Sequence, residues 1–466
     1  MALGQRLPQR QEELFIPTHR IAQGPGHPFY AKLNEVLAAA GFDAFVEKQC
    51  APFYKEGGRP GIPPGVYFRM LFIGYFEGID SQRGIAWRCA DSLALRTFLG
   101  YSVTETTPVH VSMTIIRKRL SSEVFSEVFR FVLGVLEEKR LLRGKTIGID
   151  ATTLEANAAM KTIVRKDTGD DWNEYLRKLA AAEGIENPTD EDLRRMDRQR
   201  KGKKVSNKDW QSPTDPDSRI AKMKDGRTHL AYKAEHAVDL ETEAIVAAEV
   251  HPADQGDPGT GPQTLRAADQ NVEASGSETP VTEVVADKGY HDNTLLAECR
   301  VIGIRTYIPE RKQKSHRWDD KPSEFEAAFR GNRRRMRGER GRRMSRWRSE
   351  RCERTFAHVC ETGGGRRAWV RGMAEVTKLH RMRCAAYNLG LLLRKVFGMA
   401  KPRCAEGRWA AFSGLLALLA WLIAAATEPG STGFVAVAIV GVLLIVVSAE
   451  ALRKFPGTRI PESGVL

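Results

Sequence analysis

The chain has 466 residues, with 72 Lys and Arg against 58 Asp and Glu, so its formal net charge at pH 7 is +14. The length allows two or three domains, and the 28% of charged residues excludes a membrane transporter, whose sequence would be largely apolar. The positive balance favours a polyanionic partner, nucleic acid above all, over a soluble protein that is merely basic. The seven scattered cysteines form no CxxC motif. They indicate a reducing compartment and speak against a disulfide framework or a structural zinc site.

Residues up to about 142 predict helices. Apolar residues recur at helical spacing over Phe29–Ala51, and an amphipathic stretch runs from Pro63 to Phe76. Further helices are predicted over Ile85–Leu99, His110–Leu120 and Glu123–Leu142. Short helices joined by polar turns favour a helix-turn-helix DNA-binding module, with a plain helical bundle as the alternative. We expect six arginines to be exposed on this region: Arg59, Arg69, Arg83, Arg88, Arg117 and Arg119.

Two short apolar runs then stop on an aspartate. Thr146–Ile149 is followed by Asp150, and Val284–Ala286 is followed by Asp287. Each pattern predicts a buried strand that delivers a carboxylate to its end. Two such carboxylates at one sheet edge repel each other unless a cation lies between them. Because no His or Cys cluster accompanies them, we expect a hard cation, Mg²⁺ or Mn²⁺. The alternative is that each Asp only caps a turn or a helix.

The elements around these two strands predict an α/β fold. A charge-rich insertion over about 161–225 precedes a strand at Thr228–Val238 and its hairpin partner at Ala244–Val250. The remaining pattern predicts helices at Pro262–Ala274 and Asn293–Val301 and a strand at Arg305–Ile308. Strands flanked by helices, with a hairpin between the two Asp strands, indicate a mixed sheet.

Residues 331–348 are dominated by arginine. Such a dense block often marks a solvated surface, but its position inside the α/β region favours contacts to a DNA backbone. A single Glu339 opposes nine cations: Arg333, Arg334, Arg335, Arg337, Arg340, Arg342, Arg343, Arg346 and Arg348.

A third acid is expected from the helix predicted over Ser345–Thr362, ahead of three glycines. Glu353 shares a helical face with Phe356, Ala357 and Cys360, so we expect that face to dock on the sheet. Glu350 is the alternate. It fits an ordinary surface pair better, since arginines lie four residues away on either side.

Three blocks together resemble the DDE transposases of bacterial insertion sequences: Gly148–Thr152, Ala286–Tyr290 and Glu353–His358. The stretches Thr214–Arg219 and Lys224–His236 resemble the same family's approach to its central hairpin. The resemblance extends over about residues 26–397. It implies an RNase H-like catalytic core and Mg²⁺-dependent strand cleavage and strand transfer at the ends of an insertion sequence. It also implies a helical N-terminal module that binds those ends.

On this resemblance Asp150, Asp287 and Glu353 are the catalytic residues, and they hold two Mg²⁺ ions, or Mn²⁺ in their place, about 3.5–4 Å apart. We expect the partners to be the terminal inverted repeats and target DNA, with a homo-oligomer assembled on them. One alternative is a nuclease of the same fold, which cuts without joining. The other is a non-catalytic DNA-binding protein derived from a transposase.

The chain departs from the family near the third acid. Related enzymes often carry a Tyr and an Arg just before the Glu and a Lys seven residues after it. Here Arg348 is one position early and Cys360 takes the Lys position, with His358 or Arg366 as substitutes. We predict DNA contacts by five residues: Arg333, Arg334, Arg335, Arg348 and Lys288.

We therefore expect a helical module over 1–142, a catalytic domain over 143–400 and an apolar tail over 401–466. The tail holds two nearly uncharged runs, Trp409–Thr427 and Gly433–Ala449. Each is close to the roughly 20 residues that span a bilayer, so the tail is either a membrane hairpin or a packed helical appendage. The polar N-terminus predicts no signal peptide. We expect a cytoplasmic protein, tethered to the membrane if the tail inserts.

Overall fold

A computed structural model describes residues 26–55, 57, 61–185, 187–200, 205–223, 226–311, 318–319 and 321–402. Both apolar runs of the tail lie outside these residues, and so does Arg59. Within the described ranges, no helix is both long enough and apolar enough to cross a membrane. The described residues up to Lys401 form one compact unit.

The helical N-terminal region is confirmed. The single helix predicted over Ile85–Leu99 is in fact two helices. Ser92 has an extended backbone there, and its hydroxyl accepts a hydrogen bond from the Leu95 N–H, which starts a new helix. The region contains α1 (Pro28–Ala39), α2 (Phe42–Cys50), α3 (Pro64–Glu77), α4 (Gln82–Asp91), α5 (Leu93–Leu99), α6 (His110–Arg119) and α7 (Ser122–Glu138).

The prediction of an amphipathic α3 was wrong, because this helix is buried on nearly every side. The expected exposure of Arg69 and Arg117 was also wrong, since both residues are buried. A buried guanidinium requires a charged partner. Arg69 donates to Asp43 at 2.8 Å and Arg117 donates to Glu375 at 2.6 Å. These two arginines therefore join helices to each other, and they do not form a DNA-facing surface.

The mixed sheet is confirmed. β5 runs antiparallel to both β1 and β6, while β1, β7 and β8 are parallel neighbours. β4 pairs with the beginning of β5, and β2 and β3 form a separate two-stranded pair. The strands are β1 (Thr146–Glu155), β2 (Val164–Arg165), β3 (Trp210–Gln211), β4 (Arg219–Lys222), β5 (Thr228–Asp239), β6 (Ile245–Pro252), β7 (Glu283–Val285) and β8 (Arg305–Tyr307).

Helices cover both faces of the sheet. Successive residues of a strand point to opposite faces, and on β5 the Glu235 side chain meets one set of helices while His236 meets another. Glu235 accepts a hydrogen bond from Thr260 of α10, whereas His236 contacts Thr355 of α13 and His380 of α14. The helices after the first strand are α8 (Trp172–Ala182), α9 (Asp190–Gln199), α10 (Asp257–Ala274), α11 (Asn293–Val301), α12 (Ser323–Arg337), α13 (Glu339–Phe356) and α14 (Met373–Phe397).

One continuous hydrophobic core connects the N-terminal helices to the sheet and to α14. At Gly390 of α14 an added Cβ would lie only 3.2 Å from the Phe76 ring of α3, so the two helices pack closely. The charge-rich insertion has a small core of its own, in which Leu176 and Ala180 of α8 pack near Leu193 of α9. The predicted boundary at residue 142 therefore does not divide one hydrophobic core from another.

Candidate active site

Asp150 lies in the middle of β1, so the prediction that its strand ends there was wrong. The strand continues to Glu155 because residues beyond Asp150 keep pairing with β5, for example Thr152 with Ala234. On the other side, β7 pairs with β1 only as far as Gly148. The β7 side of β1 is therefore open at Asp150, and its carboxylate stands where the parallel pair ends.

Asp287 follows β7 by two residues and begins a short turn. Its Oδ1 accepts a hydrogen bond from the Gly289 N–H at 2.7 Å, which is the capping contact of the alternative interpretation. One oxygen of the carboxylate is thus held by the backbone, and this contact fixes the direction of the side chain.

Glu353 lies on α13, but the expectation that it occupies a buried docking face was wrong. Glu353 and Ala357 are exposed, while Cys352 and Phe356 are buried against the sheet. The helix approaches β1 at Gly148, where an added Cβ would lie 3.0 Å from Cys352 Sγ and 2.6 Å from a Leu240 methyl. The missing side chain of Gly148 lets α13 lie against β1, which brings Glu353 toward the Asp150 side of the sheet.

The three acids interact electrostatically. The pKa of Asp150 is raised to about 6, chiefly by burial and in smaller part by the negative charges of Asp287 and Glu353, whereas Arg348 and the Ala151 N–H act in the opposite direction. The three carboxylates are not all within 4.8 Å of one another. Three acids from distant parts of the sequence nevertheless share one electrostatic environment.

Three carboxylates offer only oxygen ligands, which suit hard divalent cations such as Mg²⁺ and Mn²⁺. The raised pKa of Asp150 shows that its negative charge is insufficiently compensated in the protein alone. A bound dication would relieve both the burial cost and the mutual repulsion. The donor set and its electrostatics therefore fit a divalent metal site.

Arg348 is in direct contact with this site. Its Nη1 lies 3.0 Å from Asp150 Oδ2, and both side chains are largely buried. The Lys position is taken by buried Cys360, which carries no positive charge. Of the two substitutes, burial and nearby cations lower the pKa of His358 to about 4, so it is neutral at pH 7. Arg366 instead donates to Thr152 Oγ1 at 3.2 Å, further along β1.

A buried network beneath the Asp287 turn was not recognised in the sequence. Glu235 is fully buried on β5, and the Tyr290 hydroxyl donates to its Oε1 at 2.7 Å. Lys233 Nζ lies 3.0 Å from Glu235 and 2.6 Å from Asp257. The available signal was the spacing of Lys233 and Glu235, which places two opposite charges on one face of a strand.

The arginine-rich segment lies within α12 and α13, and its members have different surroundings. Arg333 donates to Glu310 at 2.6 and 2.7 Å, and Arg335 donates to the Thr306 carbonyl at 2.9 Å. Arg334 is exposed, as is Lys288. DNA contact by these residues stays a prediction. Further exposed arginines of the segment are Arg337, Arg340, Arg342, Arg343 and Arg346.

A cluster of His and Cys side chains elsewhere in the core was not recognised in the sequence. His236, His380 and Cys384 are far apart in the sequence but meet in the core, with possible ligand atoms all within 4.8 Å of one another. No sequence motif reveals this group, because its members lie on β5 and α14, which are far apart in the chain. It is separate from the three acids.

Two family models match the chain. Residues 18–119 match a family described as Transposase domain (DUF772), and residues 190–389 match the Transposase DDE domain. The second match includes Asp287 and Glu353 and begins after Asp150. Neither a curated protein nor a solved structure gives a significant match.

Both family models describe transposases, whose substrate is DNA. More particularly, residues 190–389 match the DDE domain of transposases, and the two matches together support a DDE transposase of an insertion sequence. Domains of this type are in general DNA-cutting enzymes that use divalent metal ions.

Proposed function

We propose that this protein cleaves DNA at the ends of an insertion sequence and transfers the cut strands to a target, with Asp150, Asp287 and Glu353 as its catalytic residues. The observation that carries the proposal is the electrostatic coupling of these three acids, which come from β1, the turn after β7 and α13. The proposed RNase H-like core is supported by the strand order β6, β5, β1, β7 and β8, in which β5 alone runs in the direction opposite to the other four strands.

The three carboxylates would hold the divalent ions. When bound, these ions would supply the Lewis acidity that activates an attacking water or 3′-hydroxyl and stabilises the leaving oxygen. Asp287 is directed by its backbone hydrogen bond from Gly289. Glu353 is exposed and bonded only weakly to Ser349, at 3.3 Å, so its side chain is free to adjust to ions and substrate. Cutting and joining require the same groups, so one site serves both steps.

Arg348 would provide positive charge beside the reacting phosphate. Its guanidinium is held next to Asp150 in the protein alone, and arginine is well suited to phosphate oxygens. Arg366 would act further along β1, near Thr152 and Thr153. The N-terminal helical region is proposed to bind the element ends, which is consistent with its separate match to a transposase domain.

Two acids of α13 provide a matched test. Glu353→Gln is expected to abolish Mg²⁺-dependent cleavage of element-end DNA, whereas Glu350→Gln is expected to leave it nearly unchanged. Glu350 is an exposed residue paired with Arg354 on the same helix, so both variants remove one charge from one solvated element. Equal loss in both variants, or normal cleavage by Glu353→Gln, would refute the assignment of Glu353.

Asp287→Ala tests the second acid. This variant is expected to bind element ends with nearly wild-type affinity but not to cut them, because the carboxylate serves the ions and its removal eases local repulsion. A joining assay with precut ends then separates the alternatives. A transposase joins them, a nuclease of the same fold cuts without joining, and a non-catalytic DNA-binding protein does neither.

A further inference from the structure

The core between the sheet and α14 holds three side chains that commonly bind transition metals. His236 comes from β5, and His380 and Cys384 come from α14, where a spacing of four places them on one helical face. All three are almost completely buried. The two Nε2 atoms are 2.9 Å apart, and Cys384 Sγ lies 3.4 Å from His236 Nε2 and 3.8 Å from His380 Nε2.

The hydrogen bonds around His236 direct a lone pair into this group. The Thr355 hydroxyl donates to the Cys352 carbonyl at 2.8 Å, so its oxygen is left to accept from His236 Nδ1–H at 2.9 Å. The proton of neutral His236 is thereby on Nδ1, and Nε2 presents its lone pair to His380 and Cys384. Metal-binding histidines are oriented in this way, by a hydrogen bond from the ring nitrogen that does not bind the metal.

His380 contributes the second imidazole of the group through its Nε2. Its Nδ1 has no hydrogen-bond partner within the described residues. The polar contacts of the ring are therefore directed toward His236 and Cys384, through Nε2.

We propose that His236, His380 and Cys384 form a second metal site, which binds a thiophilic transition-metal ion such as Zn²⁺ or Cu⁺. Imidazole and thiolate ligands favour these ions over Mg²⁺. The site is therefore chemically distinct from the three carboxylates, and it does not depend on the proposed catalytic function. Metal binding would deprotonate the Cys384 thiol, and the released proton passes to solvent.

The distances are close to those that a bound ion requires. Zn²⁺ lies about 2.0–2.1 Å from nitrogen and about 2.3 Å from sulfur, which in tetrahedral geometry separates the ligand atoms by about 3.3–3.6 Å. The two distances from sulfur, 3.4 and 3.8 Å, lie near this range. Only the 2.9 Å separation of the nitrogens must open, by about 0.4 Å.

Such an ion would connect α14 to β5 on the same face of the sheet as the acidic site. His236 stands opposite Asp150 in the antiparallel pairing of β1 with β5. The two residues therefore point to the same face of the sheet. The ion would brace the strand pair that carries Asp150. The competing interpretation is a metal-free core, in which His380 donates one hydrogen bond to His236 beside a neutral thiol.

The experiment uses the full chain, purified under reducing conditions without chelators and then dialysed. We expect elemental analysis to find about one Zn²⁺ per chain after growth with zinc, and a parallel titration to test Cu⁺. Replacement by Co²⁺ should produce a thiolate-to-cobalt charge-transfer absorption. Cys384→Ser should lose that absorption and weaken binding at least tenfold.

Cys352→Ser and Cys360→Ser are matched controls, because both change buried cysteines outside the group. Both are expected to retain the ion. A second measurement uses only the wild-type protein, so that it does not depend on whether a variant folds. Zn²⁺ should raise the Tm of the wild-type protein, and a tight chelator should lower it. Wild-type protein that takes up neither ion would overturn the proposal, as would a metal content that Cys384→Ser leaves unchanged.

Discussion

At the scale of single residues, Asp150 is stabilised in its neutral form. Its pKa is raised to about 6, chiefly by burial, so ionisation costs more in the folded chain than in the unfolded one. Proton linkage determines how this group changes folding stability with pH. The folded state retains the proton to higher pH than the unfolded state does. The stabilisation that protonated Asp150 contributes is therefore fully present below the ordinary pKa near 4 and is lost as the pH rises to about 6.

Asp150→Asn should therefore be more stable than the wild type at pH 7 in EDTA, and nearly equal to it at pH 4. The difference at pH 7 is expected to be about 2–3 kcal/mol, since each unit of pKa shift corresponds to about 1.4 kcal/mol. Urea unfolding at the two pH values measures it. Added Mg²⁺ should reduce the difference at pH 7 by stabilising the wild type. A difference that does not change with pH would contradict the raised pKa.

Tyr290 is expected to position the turn that carries Asp287. Its hydroxyl donates to buried, charged Glu235 at 2.7 Å, and loss of a hydrogen bond to a charged group costs about 1.5–3 kcal/mol. Tyr290→Phe should lower the cleavage rate by about 10- to 100-fold, because small displacements of a catalytic group are costly. DNA binding should persist, as measured by electrophoretic shift.

Tyr307→Phe is the control for this experiment. Tyr307 also donates to a buried glutamate, Glu283, but at 3.3 Å and from β8. We expect a smaller loss of stability and an unchanged cleavage rate. If both variants cut DNA equally slowly at equal stability, Tyr290 has no particular role in placing Asp287.

At the scale of elements, the sequence predicts the helical N-terminal region and most strands well, because alternation and helical spacing are local properties. β5 and its hairpin with β6 illustrate this. The failures involve contacts between distant residues. Arg117 is buried because Glu375, 258 positions later, neutralises it, and no local pattern reveals such a partner. β1 extends past Asp150 because β5 pairs with its Ala-Thr-Thr segment, which has no clear apolar pattern.

In the candidate site, too, local motifs could be predicted from the sequence, whereas contacts between distant residues could not. Asp150, Asp287 and Glu353 could be proposed from sequence blocks, and their electrostatic coupling could be seen only in the fold. The His236, His380 and Cys384 group was invisible to motif spacing, since 144 residues separate its two histidines.

Two groups of arginines in α12 and α13 should differ in how much they contribute to DNA affinity. Arg342 and Arg346 are exposed on consecutive turns of α13, and their replacement by Ala should reduce the dependence of binding on salt. Each lost phosphate contact changes the log–log slope by about 0.9. Binding measured across a salt series tests this expectation.

Arg333 and Arg335 supply the comparison, since both donate hydrogen bonds within the protein. Their double replacement by Ala is expected to lower the Tm more than it changes the salt slope. If the Arg342 and Arg346 variant has the wild-type slope, α13 is an ordinary solvated surface.

At the scale of the whole molecule, α14 is shared by the two predicted parts of the chain. It packs against α3 and α7 of the helical region and against β6 of the sheet. Glu375 on this helix bonds Arg117 of α6, and Asn388 bonds both the N–H and the carbonyl of Ile245. The helical region and the sheet are consequently expected to unfold together.

A chain ending after Pro402 should therefore fold and retain Mg²⁺-dependent cleavage, because it keeps α14 and all three acids. Lys401 is worth keeping, since its Nζ donates to Thr362 Oγ1 at 3.0 Å and lies over the Tyr75 ring. A chain ending after Gly372 lacks α14 and should fail to fold, because it exposes the core faces of both regions. Circular dichroism melting and a cleavage assay distinguish the two. If the chain ending after Pro402 folds but no longer cuts DNA, residues 403–466 belong to the catalytic machinery. The apolar tail would then have a role in the reaction itself.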